Sequence, residues 1–351
     1  MTRLTWSLFL ALSCSAWLLA EPAPPESDST DLRSAPPFMG YVFDRSLGQI
    51  RTVAGIPGAA RVADPVKLDF KLEHALFGAG GSIALASISG GTALTVIGAL
   101  DSQPTAVPVE NSMLDFALGA FNGPATAAIL YGSGCGCVQV ISGLPDSPRV
   151  SRNIDSASFP GAVIALAVSD DQSIAAIAVA SSEDGSSSSR ILLFDLTGDG
   201  TPPPVITSAS SVAFTPNGKD LIVTDATSGS VSMALNAGGV VDIASALVSS
   251  TEDAISNPGA IAFASDGLLL IADSAGLVHI INLPTNERRS IACSCRPDSI
   301  EGMKDKSTYR LTGPDAGAVW ILDLSGEKPR TLFVPIDAPA NTDSLPAEIA
   351  R

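Results

Sequence analysis

Between residues 38 and 336, short apolar runs of Val, Ile, Leu and Ala alternate with clusters of Gly, Ser, Asp, Asn and Pro. No stretch carries an apolar stripe at helical spacing over three turns, so the pattern predicts strands throughout. One unit recurs: an apolar strand, a polar turn, a second apolar strand, a Gly or Ser turn, and a third strand often ending in Asp or Asn. Three copies are clear. Ala162 to Val168 leads through Ser169-Asp170-Asp171-Gln172 to Ile174 to Val179. Ser211 to Phe214 leads through Thr215-Pro216-Asn217-Gly218 to Leu221 to Thr224, and Ala260 to Phe263 leads through Ala264-Ser265-Asp266-Gly267 to Leu268 to Ala272. These turns lie 46 and 49 residues apart. A period in the forties holding four short strands is the signature of a propeller blade.

Weaker copies of the turn occur at Gly78-Ala79-Gly80-Gly81, Ala120-Phe121-Asn122-Gly123 and Met303-Lys304-Asp305-Lys306. Third strands can be counted separately: Tyr41 to Asp44, Leu94 to Ile97, Val138 to Ile141, Leu192 to Asp195, Val231 to Leu235, His279 to Asn282 and Trp320 to Asp323. The count predicts an all-β fold, a β-propeller of seven blades. The first blade is expected to be incomplete, with only third and fourth strands at Gly40 to Ser46 and Gln49 to Val53. A six-bladed ring behind an extra N-terminal hairpin is the alternative. Closure is demanded because each blade can bury both sheet faces only against its neighbours.

The ends have a different character. Arg3 is the only charge in residues 1–20, and the run from Leu4 to Ala20 is apolar apart from Thr5, Ser7, Ser13 and Ser15, which predicts a signal peptide cut ahead of Glu21. Cys14 sits inside that run, the wrong place for a lipidation cysteine. Residues 21–37 and 337–351 are rich in Pro, Ser and acid and read as a disordered leader and tail around a single domain at 38–336. Loss of residues 1–20 leaves 19 basic and 36 acidic side chains, a formal charge of −17, without a basic cluster. That balance excludes nucleic-acid binding. No later apolar segment reaches membrane-spanning length, so the expectation is a secreted or periplasmic monomer without a membrane span.

The stretch Val212 to Asp225, VAFTPNGKDLIVTD, followed by Ser228-Gly229-Ser230-Val231, resembles the YVTN-type repeat of bacterial β-propellers. Ala260 to Ala272 resembles it and the NHL-type repeat. WD40 repeats match less well, for the Trp-Asp dipeptide is missing, as is the glycine and aromatic pattern of Kelch repeats. The resemblance implies a seven-bladed fold in exported or cell-envelope proteins. It implies little chemistry, because the fold hosts lactonases, lyases, adhesins and binding scaffolds alike.

Candidate chemistry is sparse. Cys135-Gly136-Cys137 and Cys293-Ser294-Cys295 form two C-x-C pairs whose even count in an exported protein favours disulfides. Residues i and i+2 share a side of a strand, so each pair can close locally, and bridging between repeats three apart is disfavoured. Free thiols, a four-thiolate metal site and a redox-active bridge remain open alternatives. His74 and His279 are the only histidines. Glu73, Asp115 and Asp298 stand near the starts of inner strands and could bind calcium or another divalent ion, although solvated acids explain them as well. Asp195 to Gly200 resembles the front of a calcium loop, but Ile206 stands where the closing Glu belongs, so a blade turn is the better reading. Ser182 to Ser189 reads as a polar hairpin loop. No catalytic residue and no cofactor beyond such an ion is predicted. The expected role is a non-catalytic scaffold binding a protein, peptide or glycan, with a metal-dependent, lactonase-like hydrolase as the alternative.

Overall fold

In the computed structural model the described residues are 37–183, 186–198, 206–216, 218–237, 242–248, 255–265 and 267–337. The signal peptide reading, nearly all of the leader and the tail beyond Asp337 lie outside them.

Seven antiparallel sheets follow one another along the chain, each a meander of consecutive strands. Blade 1 comprises β1 (Phe38–Asp44), β2 (Gln49–Ala54) and β3 (Arg61–Pro65), and blade 2 β4 (Leu72–Phe77), β5 (Ala84–Ile88), β6 (Leu94–Gly98) and β7 (Thr105–Pro108). Blade 3 comprises β8 (Leu118–Phe121), β9 (Ala127–Gly132), β10 (Cys137–Ser142) and β11 (Arg149–Asp155), and blade 4 β12 (Ala162–Val168), β13 (Ile174–Glu183), β14 (Ser186–Asp195) and β15 (Ile206–Thr207). Blade 5 comprises β16 (Ser211–Phe214), β17 (Leu221–Asp225), β18 (Ser230–Leu235) and β19 (Asp242–Val248), and blade 6 β20 (Pro258–Ser265), β21 (Leu268–Asp273), β22 (Leu277–Asn282) and β23 (Glu287–Ala292). Blade 7 comprises β24 (Glu301–Gly302), β25 (Thr308–Arg310), β26 (Val319–Asp323) and β27 (Arg330–Val334).

The apolar positions explain the stacking. Among the described residues the buried side chains fall into seven clusters, one between each pair of adjacent blades. In β13, Ala175, Ile177 and Val179 pack toward blade 3, while Ala176 and Ala178 pack toward blade 5. Both faces of a central strand are thus buried, which is why its sequence is a continuous apolar run. The cluster joining Val42, Val53 and Val62 to Met303, Val319, Ile321 and Val334 sits between blades 1 and 7 and closes the ring. The fold is a seven-bladed β-propeller.

The first blade differs from the expectation in detail. Met39 O accepts from Lys304 N in the first turn of blade 7, and Gly48 O accepts from Leu72 N at the start of β4, so β1 runs in the sense of the second strands elsewhere. Its end also behaves like theirs: Asp44 Oδ1 accepts from Leu47 N, as Asp225 Oδ1 does from Thr227 N and Asp273 Oδ1 from Leu277 N. The blade therefore holds second, third and fourth strands, the last being β3. At its outer edge Val62 pairs in parallel with Ile336 near the C-terminus. Val62 N donates to Pro335 O, and Asp337 N donates to Val62 O. Beneath this seam Arg51, 1 % exposed, donates Nη1 to Asp44 Oδ2, Nε to Ala63 O and Nη2 to Val62 O and Asp337 O.

The polar turns of the repeat are structural. Asp170 Oδ1 accepts from Gly123 N, joining blades 3 and 4, and the Tyr309 hydroxyl donates to Ala264 O, joining blades 6 and 7. Asp171 accepts from Ser173 N and from the Ser169 and Ser173 hydroxyls, and Asp305 accepts from the Ser307 and Thr308 N–H groups. Asp195 accepts from Thr197 N, Thr197 Oγ1 and Gly198 N, a turn at the site of the calcium-loop resemblance. The serine-rich insertion continues the strands, with Ser181 opposite Ser188 and Glu183 opposite Ser186.

These turns set an acid limit. Hydrogen bonds from Ser173 and Ser169 hold the Asp171 carboxyl below the ordinary carboxylate range, and bonds from Thr197 do the same for Asp195. For Asp323 burial pushes upward, but Ser325 and Arg330 prevail and the value is again lowered. A depressed folded pKa adds stability that is present above the unfolded value and is lost as pH falls through the folded one. The urea midpoint is therefore expected to hold steady down to about pH 4 and to fall below it. A midpoint that instead fell between pH 7 and 5 would contradict this assignment.

Candidate binding site at the junction of blades 2 and 3

Because strands alternate, the starts of first strands and the second-to-third turns share one end of the ring, the upper face. His74, Asp115, Asp298 and both C-x-C pairs lie at that end. Three of the elements meet where blade 2 touches blade 3.

A β-bulge opens the site. Leu72 pairs with Ile88 and His74 with Ser87, leaving Glu73 as the extra, exposed residue of β4. His74 N donates to the Ser87 hydroxyl at 3.1 Å, and the imidazole turns toward the loop that enters β8. Bulges re-aim side chains in this way. His74 Nδ1 lies 2.7 Å from Asp115 Oδ1, and the ring rests on Phe116 with centroids 5.9 Å apart. Partial burial raises the Asp115 carboxyl, but hydrogen bonds from His74, Ser87 and Phe116 N–H outweigh it and hold the group ionised below the usual carboxylate range.

The loop itself is tightly held. Met113 N donates to Gln139 Oε1 at 2.7 Å, Ser112 Oγ accepts from Leu94 N, and Ala117 N donates to Tyr131 O. Met113 and Phe116 are buried in the core between blades 2 and 3. The two residues between them are forced outward: Leu114 is 61 % exposed, and the Asp115 side chain is 47 % exposed.

The third element is the β9–β10 turn, where Cys135 and Cys137 form a disulfide across Gly136 at φ +57°. A side chain at Gly132 would collide with Cys135 Sγ and crowd Met113 Sδ and the Asp115 carbonyl, so bridge and loop border the same glycine. Cys293 and Cys295 form a second local disulfide before blade 7. There Cys293 is buried in the core between blades 6 and 7, and its N–H donates to Gly276 O.

The remaining candidates behave differently. Asp298 is exposed in the loop before β24, where it accepts from the Ser299 hydroxyl. Among the described residues no group of three or more His, Cys, Asp or Glu side chains is placed to hold a metal ion, so Glu73, Asp115 and Asp298 are not gathered into one site. His279 is buried with both nitrogens engaged, Nε2 at 2.9 Å from Asp273 Oδ2 and Nδ1 at 2.9 Å from Ser290 Oγ. It pins three strands of blade 6. The pairing of His74 with Asp115 was not visible in the sequence, because 41 residues and a blade boundary separate them.

Fold and site together define a seven-bladed β-propeller with an ordered, partly apolar and acidic patch beside an exposed disulfide on one face. No family model matches the chain, and no curated protein matches it by sequence. Solved structures share the fold. A functionally unknown protein from Desulfotomaculum acetoxidans DSM 771 is 16 % identical at a TM-score of 0.57, covering 86 % of this chain and 100 % of its own. Kuenenia stuttgartiensis hydrazine synthase is 14 % identical at 0.56, covering 85 % of this chain and 99 % of the other. A putative 6-phosphogluconolactonase from Bacteroides fragilis NCTC 9343 is 12 % identical at 0.53, covering 85 % and 97 %. No helix among the described residues is long and apolar enough to cross a membrane.

Proposed function

We propose that this chain is an exported, monomeric, YVTN-type propeller that binds a protein, peptide or glycan on its upper face. The observation that carries the reading is the loop at 109–117, anchored on Leu94, Gln139 and Tyr131 yet displaying Leu114 to solvent. A rigid loop that exposes a large apolar side chain binds with little ordering cost. Glu73 and Asp115 supply negative charge around that anchor, and the apolar N-terminal run and two local disulfides support an exported setting. The hydrolase alternative needs Glu73, Asp115 and Asp298 at one metal, and only the fold resemblance to a lactonase speaks for it.

The test is a screen of immobilised peptides and glycans read in parallel with the natural chain and three variants. Ligands retained by the natural chain should be lost with Leu114→Asp and weakened by Glu73→Lys, while Ile56→Asp on the opposite face should leave retention intact. Retention that follows Ile56 instead of Leu114 would overturn the assignment of the face.

A further inference from the structure

The two disulfides share a spacing and an end of the ring but differ in accessibility. Cys135 is exposed and Cys137 half-buried, whereas Cys293 is buried in the core between blades 6 and 7 with Leu270, Tyr309 and Leu322. The Cys135–Cys137 ring joins a turn residue to the first residue of β10, whose pairing with Gly132 and Asp155 is made by the backbone, so opening the bridge leaves the strand ladder in place and both sulfurs side by side. The exposed Leu114 lies next to Met113, whose sulfur crowds the same glycine as Cys135 Sγ. The geometry points to Cys135–Cys137 as a thiol–disulfide exchange site acting on a polypeptide that carries two thiols.

The steps balance without a further reactant. A substrate thiolate attacks the exposed Cys135 Sγ, the Cys135–Cys137 bond breaks, and the electron pair leaves on Cys137 as thiolate. The second substrate thiol, deprotonated, then attacks the mixed disulfide and releases Cys135. The substrate leaves oxidised by two electrons, and the protein holds two thiols. Access of the attacking thiolate to a sulfur governs such rates. The direction of opening also follows: the carbonyl oxygens of Gly132 and Cys137 lie 3.3 and 3.9 Å from Cys135 Sγ and would oppose a negative charge there. Cys137 is the better leaving group. Cys293–Cys295, with one sulfur inside the core, serves as an internal control of identical spacing.

The inference borrows Leu114 from the binding reading but does not depend on it, and one experiment separates them. The folded, full-length protein is incubated with dithiothreitol, quenched with an alkylating agent and mapped by mass spectrometry, with circular dichroism confirming that the fold persists. Cys135 and Cys137 should be labelled at least about tenfold faster than Cys293 and Cys295, with one equivalent of oxidised dithiothreitol formed. The paired change Cys293→Ser with Cys295→Ser should leave that rate within about twofold, while Cys135→Ser with Cys137→Ser should abolish it. Equal labelling of both pairs, faster opening of Cys293–Cys295, or no labelling until the fold is lost would each overturn the proposal. A two-cysteine model peptide then replaces dithiothreitol. Slower peptide oxidation in Leu114→Asp supports the binding reading, and an unchanged rate removes that reading while leaving the exchange site standing.

Discussion

Replacing Arg51 by methionine is expected to lower the stability of the propeller by about 3–5 kcal/mol, the range for breaking a buried ion pair by removing one partner. Its guanidinium is 1 % exposed and spends its donors on the Asp44 carboxylate and on the carbonyls of Ala63, Val62 and Asp337. Methionine fills the volume but leaves the Asp44 carboxyl, itself 5 % exposed, without its partner. The accompanying change Asp44→Leu should recover much of the loss, because replacing both partners removes the uncompensated charge. Urea unfolding of the two single variants and the double gives the coupling directly. A loss under about 1 kcal/mol for Arg51→Met would mean that solvent reaches the pair.

The two histidines should differ in how much stability the same substitution removes. His279→Leu strands the Asp273 carboxylate, whose side chain is 1 % exposed, and removes the bond to Ser290, for an expected loss of about 3 kcal/mol. His74→Leu breaks a pair whose side chains are 29 % and 47 % exposed, and the expected loss is under about 1 kcal/mol. Thermal or urea midpoints of the two variants decide the matter. Similar losses would show that the His74–Asp115 contact is a blade fastener like that of His279. A large loss confined to His279 fits a His74 that is free to meet a ligand.

How much of this was legible depended on whether the information was local. Turns such as Ser169 to Gln172 and Met303 to Lys306 announced themselves because their acids serve neighbouring backbone N–H groups, and the same short range let both C-x-C pairs be read as local bridges. The first blade was misaligned by one strand because Tyr41 to Asp44 ends in Asp, as do the third strands at Asp195 and Asp323, and because Arg61 to Pro65 has neither alternation nor an apolar run. Asp115 drew attention in the sequence as a possible metal ligand beside Glu73 and Asp298, whereas the contact it makes in the fold is with His74, reached only after the bulge at Glu73 and the stacking of two blades. Leu114 carried no signal, since one leucine between Met113 and Asp115 looks like core until the burial of Met113 and Phe116 turns it outward.

The seam at Val62 and Ile336 fixes an order of events as well as a structure. The first blade is made early and finished late: Arg51 and Asp337 are 286 residues apart, and closing a loop of that length costs about 5 kcal/mol of chain entropy beyond the constant term. Blades 2 to 7 can stack on one another as each becomes available, but the outer edge of β3 stays open until the last strand has been placed. An unpaired edge of that kind can recruit a strand from another molecule. The interval between synthesis of residue 65 and arrival of residue 336 is thus the period in which the nascent chain is most exposed to mispairing, and the C-terminal seam is what ends it.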